Sequence, residues 1–329
     1  MIIGGVLLVG LVVALVAPFL IPTEPADGVA DGEALAEADS RFTTIPFPGF
    51  EDGLKLHYVR SGESQNETGK PAWILLHGFT FTTASWEPLL PMLGKARDTI
   101  AYDQIPYGLS EKPDYSGSAQ GPNPFTLEAD VEHLLALMDR LGRERAVLVG
   151  NSSGAVIALE AARRAPERIA GVVLINPMVG LDRPTLPQWL AELPQMERLS
   201  LLAARWLGES TALLYRSYYD EDAITPEREA FMLRQTEIAG WDRAWGQLIH
   251  RSLSDALAVR GPLEAIETPV QVLIGTEDEV IDPAASRRVA ERLPHAERTE
   301  IEACGHVPQE ECPEEVAAAL EAWRDRHDL

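Results

Sequence analysis

The feature that most constrains this chain is a series of short apolar runs, each of which stops at a turn residue. They occupy 72–76, 99–102, 146–149, 169–175 and 270–274, and 56–60 alternates like an early strand. Runs of this length are typical of strands that are buried on both faces of a parallel sheet. Helical patterns separate them at 127–141, 154–164, 284–293 and 313–326. The alternation predicts an α/β fold with a mostly parallel central sheet flanked by helices.

One stretch breaks this alternation. Residues 178–262 contain many helix formers and no convincing strand. About 85 residues are too many for an ordinary connection between two strands, so the stretch is predicted to be a helical insertion. Its aromatic side chains suit either the core of that insertion or a lid over the carboxyl edge of the sheet, where ligands of open α/β sheets bind. The prediction is a helical cap between core segments 41–177 and 263–329.

The N-terminus has a different character. Met1–Pro22 contains no charged and no polar side chain, and about 20 apolar residues are enough to span a bilayer as a helix. A cleaved signal peptide usually begins with basic residues, and none precedes the apolar run here. A buried helix would show a polar face, and this run shows none. The run therefore predicts a single-pass transmembrane helix, with the rest of the chain outside the cytoplasm. The alternative is a domain secreted after signal cleavage.

Residues 23–40 are acidic, rich in Ala and Gly and without aromatic residues, so a flexible tether is predicted for them.

The whole chain has 28 Lys and Arg against 51 Asp and Glu, a net charge of -23. Such a surface repels phosphate backbones, so nucleic acid is excluded as a partner. Two cysteines, Cys304 and Cys312, exclude a disulfide scaffold and a Cys-rich zinc module. A disulfide between them would suit an exported domain.

The chemistry begins at Gly150-Asn151-Ser152-Ser153-Gly154, where a predicted strand meets a predicted helix. A G-x-S-x-G match alone is weak, and a tight Gly/Ser turn would also explain it. The strand before it and the helix after it make the match more specific. Glycines at such a turn permit the strained backbone that lifts a serine hydroxyl clear of the sheet.

At this point the sequence resembles the α/β-hydrolase family, specifically its members with a helical cap, from about Phe47 to the C-terminus. His77-Gly78-Phe79 resembles the H-G-x turn after the third strand. Gly275-Thr276-Glu277-Asp278 is similar to the turn that carries the acid, and Cys304-Gly305-His306 to the segment that carries the base. The resemblance implies a Ser-Asp-His order along the chain, which is the order of this fold's catalytic triad.

The resemblance and the chemistry of the residues together assign Ser152 as nucleophile, His306 as base and Asp278 as the group that orients His306. Glu277, Glu279 and Asp282 compete with Asp278 for that role. Because Asp282 precedes a proline, it is expected to cap a helix instead. The oxyanion is expected to be held by the backbone N–H groups of Phe79 and Ser153.

A serine nucleophile disfavours epoxide opening and dehalogenation, which need an aspartate. The predicted function is therefore a cofactor-independent serine hydrolase of a small, fairly apolar acyl compound, an ester, thioester or lactone, through an acyl-enzyme. A C–C bond hydrolase of a ketone or diketone, and a ligand receptor that keeps the triad, stay open as alternatives. No metal is predicted, because Cys304, His306 and Cys312 are too few and too close for a zinc site. The oligomeric state is left open.

Overall fold

The computed structural model describes residues 15–26, 28, 30–62, 70–115, 121–181 and 184–329. Within these residues a single sheet contains the strands β1 (Arg41–Phe47), β2 (Phe50–Ser61), β3 (Ala72–Leu76), β4 (Thr99–Tyr102), β5 (Ala146–Asn151), β6 (Ile169–Ile175), β7 (Val270–Gly275) and β8 (Ala296–Ile301). Their order across the sheet is β1-β2-β4-β3-β5-β6-β7-β8. The pairs β1–β2 and β2–β4 are antiparallel, and every later pair is parallel. The mostly parallel sheet predicted from the apolar runs is confirmed.

The helices follow the predicted alternation. They are α1 (Leu90–Leu93), α2 (Leu127–Arg140), α3 (Ser153–Arg164), α4 (Gln188–Ala191), α5 (Pro194–Gly208), α6 (Ala212–Ser217), α7 (Pro226–Arg234), α8 (Trp241–Ser252), α9 (Pro283–Arg292), α10 (Pro308–Glu311) and α11 (Pro313–His327). Side chains of α2 and α3 pack on one face of the sheet, and those of α1 and α11 pack on the other. Both faces of β3, β5 and β6 are therefore buried, which explains why these strands have no polar alternation.

The region between β6 and β7 contains α4 to α8, which is the stretch predicted to be a helical cap. Its central contact is between α5 and α8. A methyl group on Gly208 would come within 2.1 Å of the Trp241 ring, and one on Gly246 within 3.2 Å of the Leu201 backbone. Each helix therefore offers a glycine at the point where the other approaches it, and this allows the buried Trp241 and Trp245 to lie between them.

The predicted N-terminal membrane anchor is wrong. No helix among the described residues is long and apolar enough to cross a membrane, and the single-pass membrane localisation based on that span is wrong with it. Residues 1–14 of the span lie outside the described residues. The rest forms a 3-10 helix, Ala17–Leu20, and the backbone is extended at Ile21. Arg198 and Arg205 on α5 donate hydrogen bonds to the carbonyls of Ile21 and Pro22, so this end of the apolar run is held against the cap.

The segment 23–40, predicted to be a tether, also contacts the domain. Ala30 pairs with Ile238 in an isolated parallel bridge. The Ala26 N–H donates to the buried Asp242 carboxylate, and Arg234 on α7 is paired with Glu37. These contacts extend from the cap to the start of β1. The flexibility of this segment stays a prediction.

Candidate active site

Ser152 occupies the sharp turn between β5 and α3. Its φ is +53° and its ψ is -112°, a backbone conformation that residues other than glycine rarely adopt. Glycine is required on both sides of Ser152 because neighbouring backbone atoms leave no room for a side chain there. A methyl group on Gly150 would lie 2.5 Å from Gly154, and one on Gly154 would lie 2.3 Å from the Leu76 carbonyl. The G-x-S-x-G motif therefore forms the strained strand-to-helix turn that its spacing predicts.

His306 and Asp278 form a buried pair next to this turn. His306 Nδ1 lies 2.7 Å from Asp278 Oδ2, and both side chains are almost completely buried. The other carboxylate oxygen, Oδ1, accepts hydrogen bonds from the N–H groups of Val280 and Ile281 at 2.7 and 2.9 Å. A carboxylate fixed in this way favours the tautomer in which Nδ1 carries the proton and Nε2 is free. His306 and Ser152 line the same cavity.

Asp282, the competing carboxylate, has a different place. It precedes α9, and its side chain accepts a hydrogen bond from the Ala284 N–H at 2.9 Å. Proline follows it at the first helical position. This is the helix cap expected from the sequence.

Two asparagine amides connect the serine turn to the loop that carries His306. Asn151 Nδ2 donates to the carbonyl oxygens of Ile175 and His306 at 3.2 and 3.0 Å. Asn176 Nδ2 donates to the Gly305 carbonyl at 2.9 Å, and its Oδ1 accepts from the Gly275 N–H at 2.9 Å. These positioning roles were missed from sequence. The only signal was that each asparagine follows a predicted strand within two residues.

The His77-Gly78-Phe79 turn approaches the serine turn closely. A methyl group on Gly78 would be 3.0 Å from Asn151 Oδ1 and 3.3 Å from Ser152 Cβ. The buried His77 accepts a hydrogen bond from the Gln104 N–H at Nε2, and burial lowers the pKa of its imidazole. The sequence-predicted oxyanion residues, Phe79 and Ser153, both line the cavity that contains Ser152. Their function as oxyanion donors stays a prediction.

That cavity has a volume of about 500 Å³ and a mainly apolar wall. The core contributes aromatic and aliphatic side chains such as Phe79, Phe125 and Ile157, and the cap contributes Leu207 and Leu248. We call it the acyl cavity. Its shape and lining suit a small apolar group next to the Ser152 hydroxyl.

Two carboxyl groups, those of Asp130 and Asp255, interrupt the apolar wall of the acyl cavity, and Asp255 is paired with Arg260. Asp130, in the first turn of α2, lines the cavity, and no hydrogen bond or ion pair to its carboxylate is found within the described part of the chain. Burial, and then the charge of Glu128, raise the pKa of Asp130 to about 8. The neutral acid is therefore the favoured form of this group near neutral pH.

The loop that carries His306 is also clamped to the cap. The buried carboxylate of Glu310 accepts hydrogen bonds from Ser85, Tyr218 and Arg228, with Arg228 Nε at 2.5 Å. The His306 N–H donates to the Ser217 carbonyl at the end of α6. A disulfide joins Cys304 to Cys312 across this loop. Cap helices and the histidine loop are therefore linked directly, which the sequence did not predict.

Comparison with known proteins agrees with this architecture. Residues 73–319 match the model of the alpha/beta hydrolase family. The match covers well over half of the chain, and the chain therefore belongs to the α/β-hydrolase family. It is a hydrolase of that type, as the motifs predicted.

Individual relatives are more distant. The chain is 26% identical over 277 residues to the uncharacterized hydrolase YugF of Bacillus subtilis (strain 168), with coverage of 81% of this chain and 93% of YugF. It is 27% identical over 304 residues to a cis-3-alkyl-4-alkyloxetan-2-one decarboxylase of Shewanella oneidensis, covering 83% and 87%. Among solved structures, 2-hydroxy-6-oxo-6-phenylhexa-2,4-dienoate hydrolase from a Rhodococcus species has a TM-score of 0.66 at 25% identity, covering 86% and 99%.

Proposed function

We propose that the protein is a serine hydrolase of small, fairly apolar acyl compounds: carboxylic esters, thioesters or lactones. The observation that carries the proposal is the convergence of Ser152, in its strained turn, and the buried His306–Asp278 pair on one apolar cavity of about 500 Å³. In this proposal residues 178–262 act as the cap, and 41–177 and 263–329 form the catalytic core.

The mechanism follows from the groups present. Ser152 Oγ attacks the acyl carbonyl carbon while His306 Nε2 takes the hydroxyl proton, and Asp278 stabilises the resulting imidazolium. The N–H groups of Phe79 and Ser153 bind the oxyanion of the tetrahedral intermediate. His306 then protonates the leaving alcohol or thiol. Water hydrolyses the acyl-Ser152 ester by the same steps in reverse order, so no cofactor is required.

The apolar wall of the acyl cavity supports the substrate class. Burying a methylene group contributes about 0.8 kcal/mol, so acyl chains that fill the cavity should give higher kcat/KM until they outgrow it. The test is kcat/KM for p-nitrophenyl esters of increasing acyl length, with lactones and thioesters in parallel. Ser152→Ala is the control for uncatalysed and nonspecific hydrolysis. A rise and fall of kcat/KM with chain length supports the proposal, and equal values with Ser152→Ala contradict it.

The second candidate is hydrolysis of a C–C bond beside a carbonyl. It is favoured by the similarity to the Rhodococcus hydrolase, whose name specifies a dienoate substrate. A vinylogous diketone in the same substrate panel separates the two candidates, because only a C–C hydrolase cleaves it faster than the esters. Fluorophosphonate labelling of Ser152 without turnover of any panel substrate would favour a receptor that retains the triad.

A further inference from the structure

Ser40, His57 and Asp103 form a second row of hydroxyl, imidazole and carboxylate groups. Ser40 Oγ lies 3.0 Å from His57 Nε2, and His57 Nδ1 lies 2.7 Å from Asp103 Oδ2. Both His57 and Asp103 are buried, whereas Ser40 is half-buried. None of these residues lines the acyl cavity.

Asp103 is held as an ionised carboxylate by its neighbours. Its Oδ1 accepts the Thr83 N–H at 2.7 Å, and its Oδ2 accepts the Leu109 N–H at 2.8 Å in addition to His57. Burial alone would raise the pKa of the Asp103 carboxyl, but His57 and the Leu109 N–H outweigh burial and lower the pKa well below its usual range. The carboxylate therefore favours a proton on Nδ1 of His57, which leaves Nε2 as an acceptor.

The contacts of Ser40 direct its hydroxyl proton towards that acceptor. Ser40 Oγ accepts a hydrogen bond from the Glu37 N–H at 3.0 Å. A hydroxyl that accepts on one side donates on another, and His57 Nε2 is the acceptor found within reach in the described structure. Hydroxyl, imidazole and carboxylate thus have the order in which a histidine activates a serine.

These three residues also line a cavity of their own. Its volume is about 440 Å³, and it shares no lining residue with the acyl cavity. Val59, Leu90 and Phe231 supply apolar wall. Arg234 lines it as well and is fixed to the Ser40 segment through Glu37. We call this space the Ser40 cavity. It offers room for a small acyl group, and the two arginines that line it, Arg60 and Arg234, provide positive charge for a developing oxyanion.

We propose that Ser40 is a second nucleophilic serine, activated by His57 and Asp103, that accepts acyl groups from small apolar esters or thioesters in the Ser40 cavity. In this step Ser40 Oγ forms a bond to the acyl carbon, and the bond from that carbon to the leaving oxygen or sulfur breaks. The Ser40 proton passes to His57 Nε2 and from there to the leaving alcohol or thiol. The product is acyl-Ser40, and no other reactant is needed.

The competing explanation is purely structural: the same contacts would fix the segment before β1 to β2. Reactivity separates the two explanations, because a hydroxyl that only holds a loop has no enhanced nucleophilicity. General-base assistance contributes about 10²–10⁴-fold to such a step. Ser40 should therefore react at least about 100-fold faster than a serine without a histidine partner.

The experiment uses the full chain carrying Ser152→Ala, so that the proposed main nucleophile is absent. The protein is treated with a small alkyl fluorophosphonate, in which Oγ displaces fluoride from phosphorus and the proton goes to His57. Modified peptides are identified and their rates of appearance measured by mass spectrometry. The comparison proteins are Ser152→Ala/Ser40→Ala and Ser152→Ala/Ser61→Ala. Ser61 lines the same cavity, and no histidine hydrogen bond to it is found in the described structure.

The expected result is one phosphonyl group on Ser40 in Ser152→Ala and in Ser152→Ala/Ser61→Ala. Labelling should fall at least about tenfold in Ser152→Ala/Ser40→Ala, and Ser40 should be unreactive in urea-unfolded protein. An unlabelled Ser152→Ala protein, label on another residue, or equal labelling of folded and unfolded Ser40 would overturn the proposal. Because Ser152 is absent throughout, these outcomes do not depend on the hydrolase function proposed for it.

Discussion

Two buried histidine–carboxylate pairs in this chain have almost the same geometry and face different serines. His306 and Asp278 are 2.7 Å apart, and so are His57 and Asp103. Each carboxylate accepts two further backbone N–H groups. The differences lie in the serines. Ser152 is in a strained strand-to-helix turn, whereas Ser40 directly precedes an edge strand.

This comparison indicates that a histidine–carboxylate pair alone does not define a hydrolase site. The turn at Ser152 lies at the N-terminus of α3 and beside the Gly78-Phe79 turn. In the proposed mechanism, backbone N–H groups of these two turns bind the developing oxyanion. Ser40 has Arg234 in its cavity instead. We therefore expect efficient turnover at Ser152 and, at Ser40, acylation that is slower and is not followed by rapid hydrolysis.

The largest expected effect is the loss of turnover when the side chain of Ser152 or of His306 is removed. Ser152→Ala and His306→Ala should each lower kcat by about four to six orders of magnitude, and the double variant should lose little more because the two groups act as a unit. Hydrolysis of the best ester of the panel provides the measurement, with Ser61→Ala as the control. Multiplicative losses in the double variant would argue that the two residues act independently.

The next effect separates the orienting carboxylate from its neighbour. Asp278→Asn should lower kcat by about three to four orders of magnitude, because the amide no longer fixes the tautomer of His306. Asp282→Asn should change kcat little, since asparagine caps helices about as well as aspartate. Steady-state kinetics of both variants on one ester decides the matter. Similar losses at the two positions would refute the assignment of Asp278.

The corresponding change in the second pair should affect folding more than turnover. Asp103→Asn replaces a buried carboxylate that accepts three hydrogen bonds. Hydrogen bonds to a charged group contribute about 1.5–3 kcal/mol each, so the free energy of unfolding should fall by about 2–4 kcal/mol, while kcat on the ester falls less than about tenfold. Denaturant unfolding and ester kinetics are measured on the same sample. A loss of kcat as large as that of Asp278→Asn would show that the two pairs are not separate.

The smallest effect concerns the carboxyl group of Asp130, for which the described residues show no such partners. The pKa of Asp130 is raised by burial and Glu128 to about 8, well above its value in the unfolded chain. The unfolded state therefore releases this proton first, and the wild type loses stability as pH rises from about 4 to about 8. Asp130→Asn has no such loss. Its Tm should exceed that of the wild type by at least about 2 °C near pH 8.5, with a smaller gap near pH 5. A gap that shrinks with rising pH would contradict this.

Local sequence signals predicted the core of this fold because each strand with an unbroken apolar run is buried on both faces. They missed β1 and β8. The β8 segment contains Glu297, Arg298 and Glu300, and as an edge strand it is only half-buried, so it carries no continuous apolar run. At the N-terminus the error was the opposite one, because the apolar run predicted a membrane helix that the described residues do not contain. Hydropathy alone could not indicate that Ile21 and Pro22 lie against arginines of α5.

The candidate site likewise has residues that local motifs predicted and long-range contacts that they did not. Ser152 and Asp278 were predicted because each lies in a short motif after a predicted strand. His306 was predicted from the resemblance of Cys304-Gly305-His306 to the segment that carries the base in this family. The contacts that hold these motifs together join residues far apart in the chain, such as Asn151 with His306 and Arg228 with Glu310. No local pattern encodes such pairs. The alignment of Ser40 with His57 and Asp103 was missed for that reason.

The central claim is that turnover proceeds through an acyl group on Ser152. It is tested most directly by mixing the enzyme with a p-nitrophenyl ester, quenching with acid within one turnover, and mapping the acylated peptide by mass spectrometry. The account predicts one acyl group on the peptide that contains Gly150–Gly154, formed at the rate of the p-nitrophenol burst and decaying at the steady-state rate. Turnover with no acyl group on that peptide, or with the acyl group on Ser40 instead, would contradict it.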